Sequence, residues 1–187
     1  VSDSVNVIDL DPSSPTFHQV IGLIDASSYQ EADRYFDEPA GIAFASNAKA
    51  YVALSQENQI AVVDTARLEI TKTIAVPAQD PRAIAVFENK LFVLPFESNN
   101  QTQLSGCLPS KIDGERCTFD AIEHVFTNNN VLSLNYVADI IKNPELPDRD
   151  LLVYDTSSEQ LIDTVEGLGT LLYGLTVTDS GQVVIAQ

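Results

Sequence analysis

Basic residues, methionine and long apolar segments are scarce or absent in this sequence, and these shortages exclude several classes of protein. Ten Lys and Arg residues stand against 27 Asp and Glu residues in 187 positions, which gives a formal net charge of −17. A chain this acidic repels a phosphate backbone, so we expect no nucleic-acid partner. No apolar run approaches the length that crosses a bilayer, so the sequence predicts no membrane span.

The beginning of the sequence has no features of a secretion signal. Residues 1–10 lack the charged and apolar regions that a signal peptide requires, and no Met occurs anywhere in the 187 residues. We therefore expect a mature or excised segment rather than a complete translation product.

Catalytic signatures are also lacking. The sequence contains no GxSxG, HExxH, P-loop or dinucleotide-binding glycine pattern. His124 follows Asp120 by one turn of a candidate helix, which resembles an oriented base, but no nucleophile accompanies the pair. The sequence therefore predicts no catalytic residue.

The two cysteines, Cys107 and Cys117, lie close together in the least regular part of the chain. A disulfide between them would close a small loop and would require an oxidising compartment, which favours the periplasm or the cell exterior. Two unrelated buried thiols are the alternative. His18 and His124 do not stand at ligand spacing from the pair, so no metal site is predicted there.

We predict no cofactor, and calcium is the one cation that the sequence leaves as an alternative. Acidic loops such as Asp9-Leu10-Asp11 offer oxygen ligands to calcium, but the spacing of an EF-hand is missing.

Four short apolar runs organise the middle of the chain. Val, Ile, Tyr and Phe are frequent in them, and turn-forming or polar residues separate them: Ala40–Phe44, Ala50–Leu54, Gln59–Thr65 and Ile70–Val76. These residues favour strands over helices. The stretch 39–76 therefore predicts a four-stranded antiparallel sheet.

The same pattern recurs on both sides of this stretch. The third strands align as Val5–Asp9, Ile60–Asp64 and Leu151–Asp155, and each ends in an Asp that suits the following turn. The second strands align as Ala50–Leu54, Leu91–Pro95 and Val183–Gln187, and their continuous apolarity predicts that both sheet faces are covered.

The first strands share a column of small residues, Gly41, Ala83 and Gly174. Small side chains would let these strands crowd around a common axis, as the inner strands of a β-propeller do. The predicted fold is therefore all-β, a partial propeller of four-stranded antiparallel blades. The predicted units are a half blade (1–24), a blade (39–76), a blade (81–167) interrupted by an insertion (96–149), and a half blade (172–187).

Two connections carry helical signals. Ser28-Tyr29-Gln30-Glu31 resembles a capping box and predicts a helical turn through Tyr35 within the connection 25–38. The insertion 96–149 is too long to lack structure, and we expect it to be partly helical. One amphipathic helix is predicted from an N-cap at Ser133 to a stop at Asn143-Pro144, with Leu134, Val137, Ala138 and Ile141 on its apolar face, and another near 119–126.

These units amount to about three blades, whereas closed propellers have about four to eight. We therefore expect either the remaining blades of the same propeller or association of copies through their terminal half blades. A further protein partner at the propeller surface is also expected.

The central repeat resembles the YVTN β-propeller repeat. The resemblance rests on Ala50–Leu54, Asn58–Thr65 and Ile70–Val76, with Pro81–Val86 similar to the opening of the next copy. Tyr51 and Val52 match the signature, whereas Ala53 and Leu54 depart from it. The resemblance implies a seven- or eight-bladed propeller on bacterial or archaeal surfaces or in the periplasm, and it implies no catalytic residue.

Candidate binding residues lie where the loops between blades are expected to meet. Ala40, Arg82 and Tyr173 align at the start of the first strands, and Arg82 could hold an anionic ligand or pair with Asp80. Arg34, with Asp33 and Glu38, could join a polar site or belong to a solvated loop. The predicted ligand-binding residues are therefore Arg82, Tyr173, Asp80 and Arg34.

Two functions fit these observations. The first is a non-enzymatic, extracytoplasmic propeller segment for protein or ligand binding. The second is the propeller module of a larger haem, copper or lactone-hydrolysing enzyme whose catalytic groups lie outside this chain.

Overall fold

The computed structural model describes residues 3–30, 34–98, 104–105, 118–119, 131–133, 139–141, 148–169 and 171–187. These residues form short strands and one 3-10 turn, Ala26–Ser28. None of the helical segments found in these ranges has the length and apolarity to cross a membrane. The strands are β1 (Val5–Ile8), β2 (Val20–Ile24), β3 (Pro39–Ser46), β4 (Lys49–Leu54), β5 (Gln59–Asp64), β6 (Glu69–Ala75), β7 (Gln79–Phe87), β8 (Lys90–Glu97), β9 (Leu104–Ser105), β10 (Thr118–Phe119), β11 (Val131–Ser133), β12 (Asp139–Ile141), β13 (Leu151–Asp155), β14 (Leu161–Val165), β15 (Gly174–Val177) and β16 (Val183–Ala186).

Two four-stranded antiparallel sheets form the centre of the molecule, as the repeats predict. Sheet 1 has the order β3-β4-β5-β6, and sheet 2 has the order β7-β8-β13-β14. The long insertion separates β8 from β13 in sequence, yet the two strands pair with Leu152 opposite Val93. The all-β fold of four-stranded antiparallel blades is therefore confirmed.

Two hairpins flank the central sheets. The N-terminal hairpin consists of β1 and β2, and the C-terminal hairpin consists of β15 and β16. Their pairing is antiparallel, with Val5 opposite Ile24 and Leu175 opposite Ile185.

Three apolar clusters show that these units stack face to face. Tyr51 and Ile60 of sheet 1 pack with Leu91 and Leu152 of sheet 2, and all four are fully buried. Sheet 1 packs on the N-terminal hairpin through a second cluster that includes Ile24. A third cluster joins sheet 2 to the C-terminal hairpin. Because both faces of β4 and β8 are covered, these two strands carry the continuous apolar runs expected of buried strands.

Aspartates end the third strands as predicted. The Asp64 carboxylate accepts the amides of Ala66 and Arg67 at 2.9 and 3.1 Å, and Asp155 accepts those of Ser157 and Ser158 at 3.0 and 2.7 Å. Chiefly through the amides of Arg67 and Ser158, these bonds hold the pKa of each carboxyl below its ordinary value.

Polar groups also cross the interface between the central sheets. The nearly buried Glu159 carboxylate, in the turn between β13 and β14, pairs with Lys49 and Lys72 of sheet 1. The Tyr51 hydroxyl donates to the Thr156 carbonyl at 3.2 Å, and the Tyr154 hydroxyl donates to the Ala75 carbonyl at 3.3 Å. Each buried tyrosine therefore has a partner in the opposite sheet.

The predicted crowding of the first strands is found at Gly41 and is not found at Gly174. A Cβ added at Gly41 would lie 2.3 Å from the Arg82 carbonyl oxygen, so β3 and β7 approach each other closely there. A Cβ at Gly174 would meet nothing within 4 Å. The expected need for a small residue therefore applies at Gly41 but not at Gly174 in this chain.

The predicted helical turn forms earlier than expected. The turn is Ala26–Ser28, with Asp25 as N-cap and Ser28 as the reciprocal N3 partner rather than as the N-cap. Tyr29 is extended and bridges to Ile70 of β6. Asp25 is the better cap because its carboxylate accepts both the amide and the hydroxyl of Ser27, at 2.8 and 2.6 Å.

Strands replace helix at the described points of the insertion. The helix predicted between the N-cap at Ser133 and the stop at Asn143-Pro144 is wrong at its described residues, since Asp139–Ile141 form β12 and pair with β11, with Val131 opposite Ile141. Phe119, the start of the second predicted helix, lies in β10. The β-branched residues of β11 and β12 favour this pairing over the helical period. Cys107 and Cys117 lie outside the described residues.

Candidate functional site

One end of the sheets gathers the loops between strands. Asp80 and Arg82 lie at the start of β7, Phe96 lies near the end of β8, and Tyr173 directly precedes β15. The β7–β8 register places Gln79 opposite Glu97, so these chain segments share the same end of sheet 2. We call Asp80, Arg82, Phe96 and Tyr173 the mouth cluster.

The mouth cluster is a chain of side-chain contacts. The Arg82 Nε lies 2.9 Å from both carboxylate oxygens of Asp80, and Nη2 lies 2.8 Å from Oδ2. The guanidinium carbon stands 4.2 Å from the centre of the Phe96 ring. That ring meets the Tyr173 ring edge to face, with centroids 5.3 Å apart and an angle of 68°. The structure therefore connects three of the predicted ligand-binding residues through one that the sequence analysis missed.

Two hydrogen bonds to the β4–β5 turn of sheet 1 hold Asp80 in place. Its amide donates to the Asn58 side-chain oxygen at 2.8 Å, and its carboxylate accepts the hydroxyl of the buried Ser55. Asn58 and Asp80 both have left-handed backbones, with φ of 50° and 56°, which Asn and Asp tolerate better than most residues. The turn that ends β4 thus holds the start of β7, and through it the orientation of Arg82.

The electrostatics of the cluster favour the salt-bridge alternative for Arg82. The hydrogen bond with Asp80 is the main cause that raises the pKa of Arg82, and Glu38 and Glu97 act in the same direction. The cation therefore already has a bidentate carboxylate partner and two further acidic neighbours. An anionic ligand would have to compete with all three.

Exposure differs along the cluster. The Asp80 side chain is 17% exposed and the Arg82 side chain 43%, whereas Tyr173 is 65% exposed. An exposed ion pair of this kind contributes only about 0–1 kcal/mol. We infer that its contribution is orientation, because it holds the guanidinium over the Phe96 ring while Tyr173 faces solvent.

Arg34 lies elsewhere. It lines one groove with Tyr29 and the β6 residues 70–73, and another with the acidic residues Asp3, Asp25 and Asp37. Neither groove includes a member of the mouth cluster. Asp33 lies outside the described residues, so the polar site of Asp33, Arg34 and Glu38 stays a prediction. Glu38 acts on Arg82, and neither groove that Arg34 lines includes Glu38.

The two ends of the insertion meet beside the mouth cluster. The Arg149 amide donates to the Ser98 hydroxyl at 3.1 Å, and the Arg149 guanidinium donates to the Pro77 carbonyl. Burial, and then the nearby Asp150, raise the pKa of Asp148. The insertion therefore leaves and re-enters sheet 2 at the end that carries the candidate site.

Acidic residues at this end do not form a cation site in the described ranges. Asp150 is fully buried, and its Oδ2 accepts the Leu168 amide at 2.5 Å. Across the part of the chain that the structure covers, no three His, Cys, Asp or Glu side chains converge in a way that would hold a metal ion.

Phe96 escaped the sequence analysis because it was assigned to the insertion. The available signal was the period-two alternation of Phe92, Leu94 and Phe96, which extends β8 by one more inward-facing residue. Phe92 and Leu94 belong to the cluster that faces the C-terminal hairpin, which is the side from which Tyr173 reaches Phe96.

The stacked four-stranded sheets define the class of this protein: it is an all-β chain with the architecture of part of a β-propeller. Comparison with solved structures finds the same fold in a chain of hydrazine synthase from Kuenenia stuttgartiensis. That similarity has a TM-score of 0.56 and 16% sequence identity over 98% of this chain. The chain spans 35% of the length of that solved chain.

Other similar structures are more distant. The β-propeller domain of Cps50 (Swd1) from Myceliophteria thermophila matches 97% of this chain and 55% of its own, with 12% identity and a TM-score of 0.42. The computationally designed Ika4 protein matches 83% of this chain and 94% of its own, with 11% identity and a TM-score of 0.33. No family model and no curated protein matches the sequence.

Proposed function

We propose that this chain is a non-enzymatic, extracytoplasmic β-propeller segment of the YVTN type that binds a protein or small ligand at the mouth cluster. The YVTN assignment is supported by the repeat at 50–76, in which Tyr51 and Val52 match the signature. Loops held by a rigid sheet scaffold are where binding residues usually gather.

The exposed Tyr173 carries this proposal. It presents a large aromatic surface to solvent, and its ring is held by Phe96, which is held in turn by Arg82 and Asp80. Tyrosine and arginine are enriched among the residues that dominate binding energies. Tyrosine in particular offers a large, rigid contact area at a low cost in conformational entropy.

The charges around the cluster indicate the class of ligand. Glu38 and Glu97 lie near an arginine that Asp80 already neutralises, and the whole chain is strongly acidic. A basic peptide segment with aromatic side chains fits this surface better than an anion does.

The extracytoplasmic location rests on the two cysteines. A disulfide between Cys107 and Cys117 would persist only in an oxidising compartment. Thiol titration of the denatured, unreduced protein checks this point: no free sulfhydryl supports it, and two free sulfhydryls remove its main support.

Binding is tested with a fluorescein-labelled peptide rich in Lys and Tyr and with a Glu-rich peptide of equal length. We expect the basic peptide to bind the wild-type chain, and we expect Tyr173→Ala to weaken that binding about tenfold, or about 1.4 kcal/mol. Tyr35→Ala is the matched control, because Tyr35 is 69% exposed and lies outside the cluster. Equal binding by the two variants, or preference for the acidic peptide, contradicts the proposal.

The second candidate is a propeller module of a larger enzyme. It is supported by the fold shared with a chain of hydrazine synthase, although that likeness concerns the fold alone. The gene sequence on either side of the codons for Val1 and Gln187 distinguishes the candidates. A haem, copper or hydrolase module in the same reading frame favours the enzyme, whereas further blades alone favour the binding segment.

A further inference from the structure

The two central sheets lie close together at their first strands and separate towards their fourth strands. A Cβ added at Gly41 of β3 would lie 2.3 Å from the Arg82 carbonyl oxygen of β7. Between β6 and the β13–β14 hairpin, the sheets instead leave a groove of about 470 Å³, bounded by residues 72–77 and 158–161 and by Tyr154. Both sheets have all four strands, so the groove lies between two whole blades. We call it the inter-sheet groove.

Apolar side chains from both sheets line the inter-sheet groove. In the β5–β6 register, Ile74 is opposite the buried Ile60, so it lies on the face of sheet 1 that meets sheet 2. In the β13–β14 register, Leu161 is opposite the buried Tyr154, which lies on the face of sheet 2 that meets sheet 1. Ile74 is half-buried and Leu161 is 40% exposed. The groove therefore offers an apolar surface that the two sheets do not fill.

Basic residues gather at this groove although the chain as a whole is strongly acidic. Lys72 lines the groove, and 56% of its side chain is exposed. The Glu159 carboxylate pairs with both Lys72 and Lys49, so one negative charge faces two ammonium groups. At Pro77, which also lines the groove, the Arg149 guanidinium donates to the backbone carbonyl. Three of the ten basic residues of the chain therefore lie in or beside the groove.

This balance of charge is the reverse of the balance at the mouth cluster. There, one guanidinium is surrounded by three carboxylates, those of Asp80, Glu38 and Glu97. In the groove, two ammonium groups share the carboxylate of Glu159. An anion that enters the groove therefore meets a positive charge that is not fully balanced. Lys72 is the cation that such an anion reaches, because its side chain is largely exposed while Glu159 is nearly buried.

We propose that the inter-sheet groove binds a small monocarboxylate, whose carboxylate pairs with Lys72 and whose apolar body lies along Ile74 and Leu161. The groove volume of about 470 Å³ lies within the range of small-molecule sites. A charge-assisted hydrogen bond to an ammonium group fixes the carboxylate end, and burial of the apolar body adds affinity. This is a second site, separate from the mouth cluster, and it takes an anion where the mouth cluster takes a basic peptide.

Binding is measured with 3-phenylpropionate as the probe, by nitrogen-15 correlation NMR spectra of the whole chain. We expect saturable shifts of amide signals that are concentrated at residues 72–77 and 158–161. The neutral 3-phenylpropionamide, which lacks the charge, and acetate, which lacks the apolar body, should each bind at least about tenfold more weakly. Shifts that do not saturate, shifts spread over the surface, or equal binding of the amide and the carboxylate each overturn the proposal.

Lys72→Gln tests the cation. We expect it to weaken binding of 3-phenylpropionate about tenfold, because the charge-assisted hydrogen bond is lost. Lys90→Gln is the matched control, since it removes the same charge from an exposed residue of β8 that does not line the groove. The control should bind as the wild type does. Equal losses in the two variants would mean that the total charge of the chain decides the affinity, which contradicts a site at Lys72.

Leu161→Asn keeps the proposal testable if circular dichroism shows that Lys72→Gln does not fold. It removes an apolar contact from the groove without touching the ion pairs, so binding should weaken about fivefold. Ile162→Asn is its control, because Ile162 is 52% exposed and does not line the groove. Unchanged binding by a folded Leu161→Asn overturns the proposal. A chain that binds 3-phenylpropionate but not the basic peptide contradicts the proposed function alone, and the opposite result contradicts the groove site alone.

Discussion

Arg82 shows how neighbouring residues decide what a charged side chain can do. By itself it is a candidate anion ligand in a chain with only ten basic residues. Asp80 holds it in a bidentate pair, and Phe96 covers one face of its guanidinium. The residue therefore positions an aromatic surface instead of offering a free cation.

Glu159 is a second case in which partners decide the state of a residue. Burial alone would raise the pKa of this carboxyl, but the ammonium groups of Lys49 and Lys72 lower it below its ordinary value. The charged form is thereby retained at the interface between the central sheets, where it joins two strands of sheet 1 to a turn of sheet 2. A buried carboxylate paired in this way favours the one alignment of the two sheets in which both lysines reach it.

Tyr154 predicts a loss of stability in alkaline solution. Burial raises the pKa of its phenol from 10.0 to about 12, so the unfolded chain loses the proton before the folded chain does. The folded state binds more protons between those values, so the free energy of unfolding should fall by roughly 2–3 kcal/mol as the pH rises from about 10 to about 12. Urea unfolding at a series of pH values measures this fall.

The control for this prediction is Tyr154→Phe. Without the hydrogen bond to the Ala75 carbonyl, its free energy of unfolding at neutral pH should be about 1 kcal/mol lower than that of the wild type. Its free energy of unfolding should also fall less steeply above pH 10. A Tyr154→Phe profile as steep as that of the wild type would assign the alkaline loss to other groups.

At the scale of single elements, strands were predictable because their signal is local. The run Ala50–Leu54 is apolar at every position, and β4 is buried at almost every one. The closing aspartates could be placed because a carboxylate after a strand lies within reach of the amides of the next turn, as Asp64 and Asp155 show.

The helical predictions failed because a competing contact decided each one. Ser28 has a capping pattern in the sequence, but Asp25 caps three residues earlier and Tyr29 extends towards Ile70. The apolar period around Ile141 is matched by an equally apolar partner at Val131, and pairing with it produces a strand. A pattern within one segment cannot reveal the segment against which it pairs.

Gly41 predicts a local cost of close strand approach. Gly41→Ala would place a methyl group 2.3 Å from the Arg82 carbonyl, so β3 and β7 must separate, at a cost of about 1–3 kcal/mol. Gly174→Ala is the control, because its Cβ meets nothing within 4 Å. Both variants are compared with the wild type by urea unfolding. Equal stability of the two variants would mean that the approach at Gly41 relaxes without cost.

At the scale of the whole molecule, much of the candidate site could be predicted and part could not. The aligned starts of the first strands identified Arg82 and Tyr173, because equivalent positions in repeats lie at the same end of their sheets. The contact through Phe96 could not be predicted, because it depends on where β8 ends. The sequence does not fix that end, since the insertion begins there. Arg34 lines other grooves, because position in a connecting loop does not fix the direction in which the loop leaves the sheet.

The acidic composition predicts a dependence on ionic strength. With 27 acidic and 10 basic residues, the folded chain repels itself more than the expanded chain does. Raising NaCl from about 0.01 to about 0.15 M shortens the Debye length from about 30 to about 8 Å. We expect this screening to raise the free energy of unfolding by about 1 kcal/mol. For a chain of this size, that increase raises the thermal midpoint by about 2–4 °C.

This prediction is measured by thermal unfolding of the wild-type chain at several protein concentrations, since any self-association would make the midpoint depend on concentration. Choline chloride at equal ionic strength should produce the same rise, because screening does not depend on the identity of the cation. A larger rise with calcium chloride at matched ionic strength would show specific cation binding. A constant or falling midpoint would mean that the hydrogen-bonded carboxylates, such as Asp64 and Asp155, already compensate the repulsion within the fold.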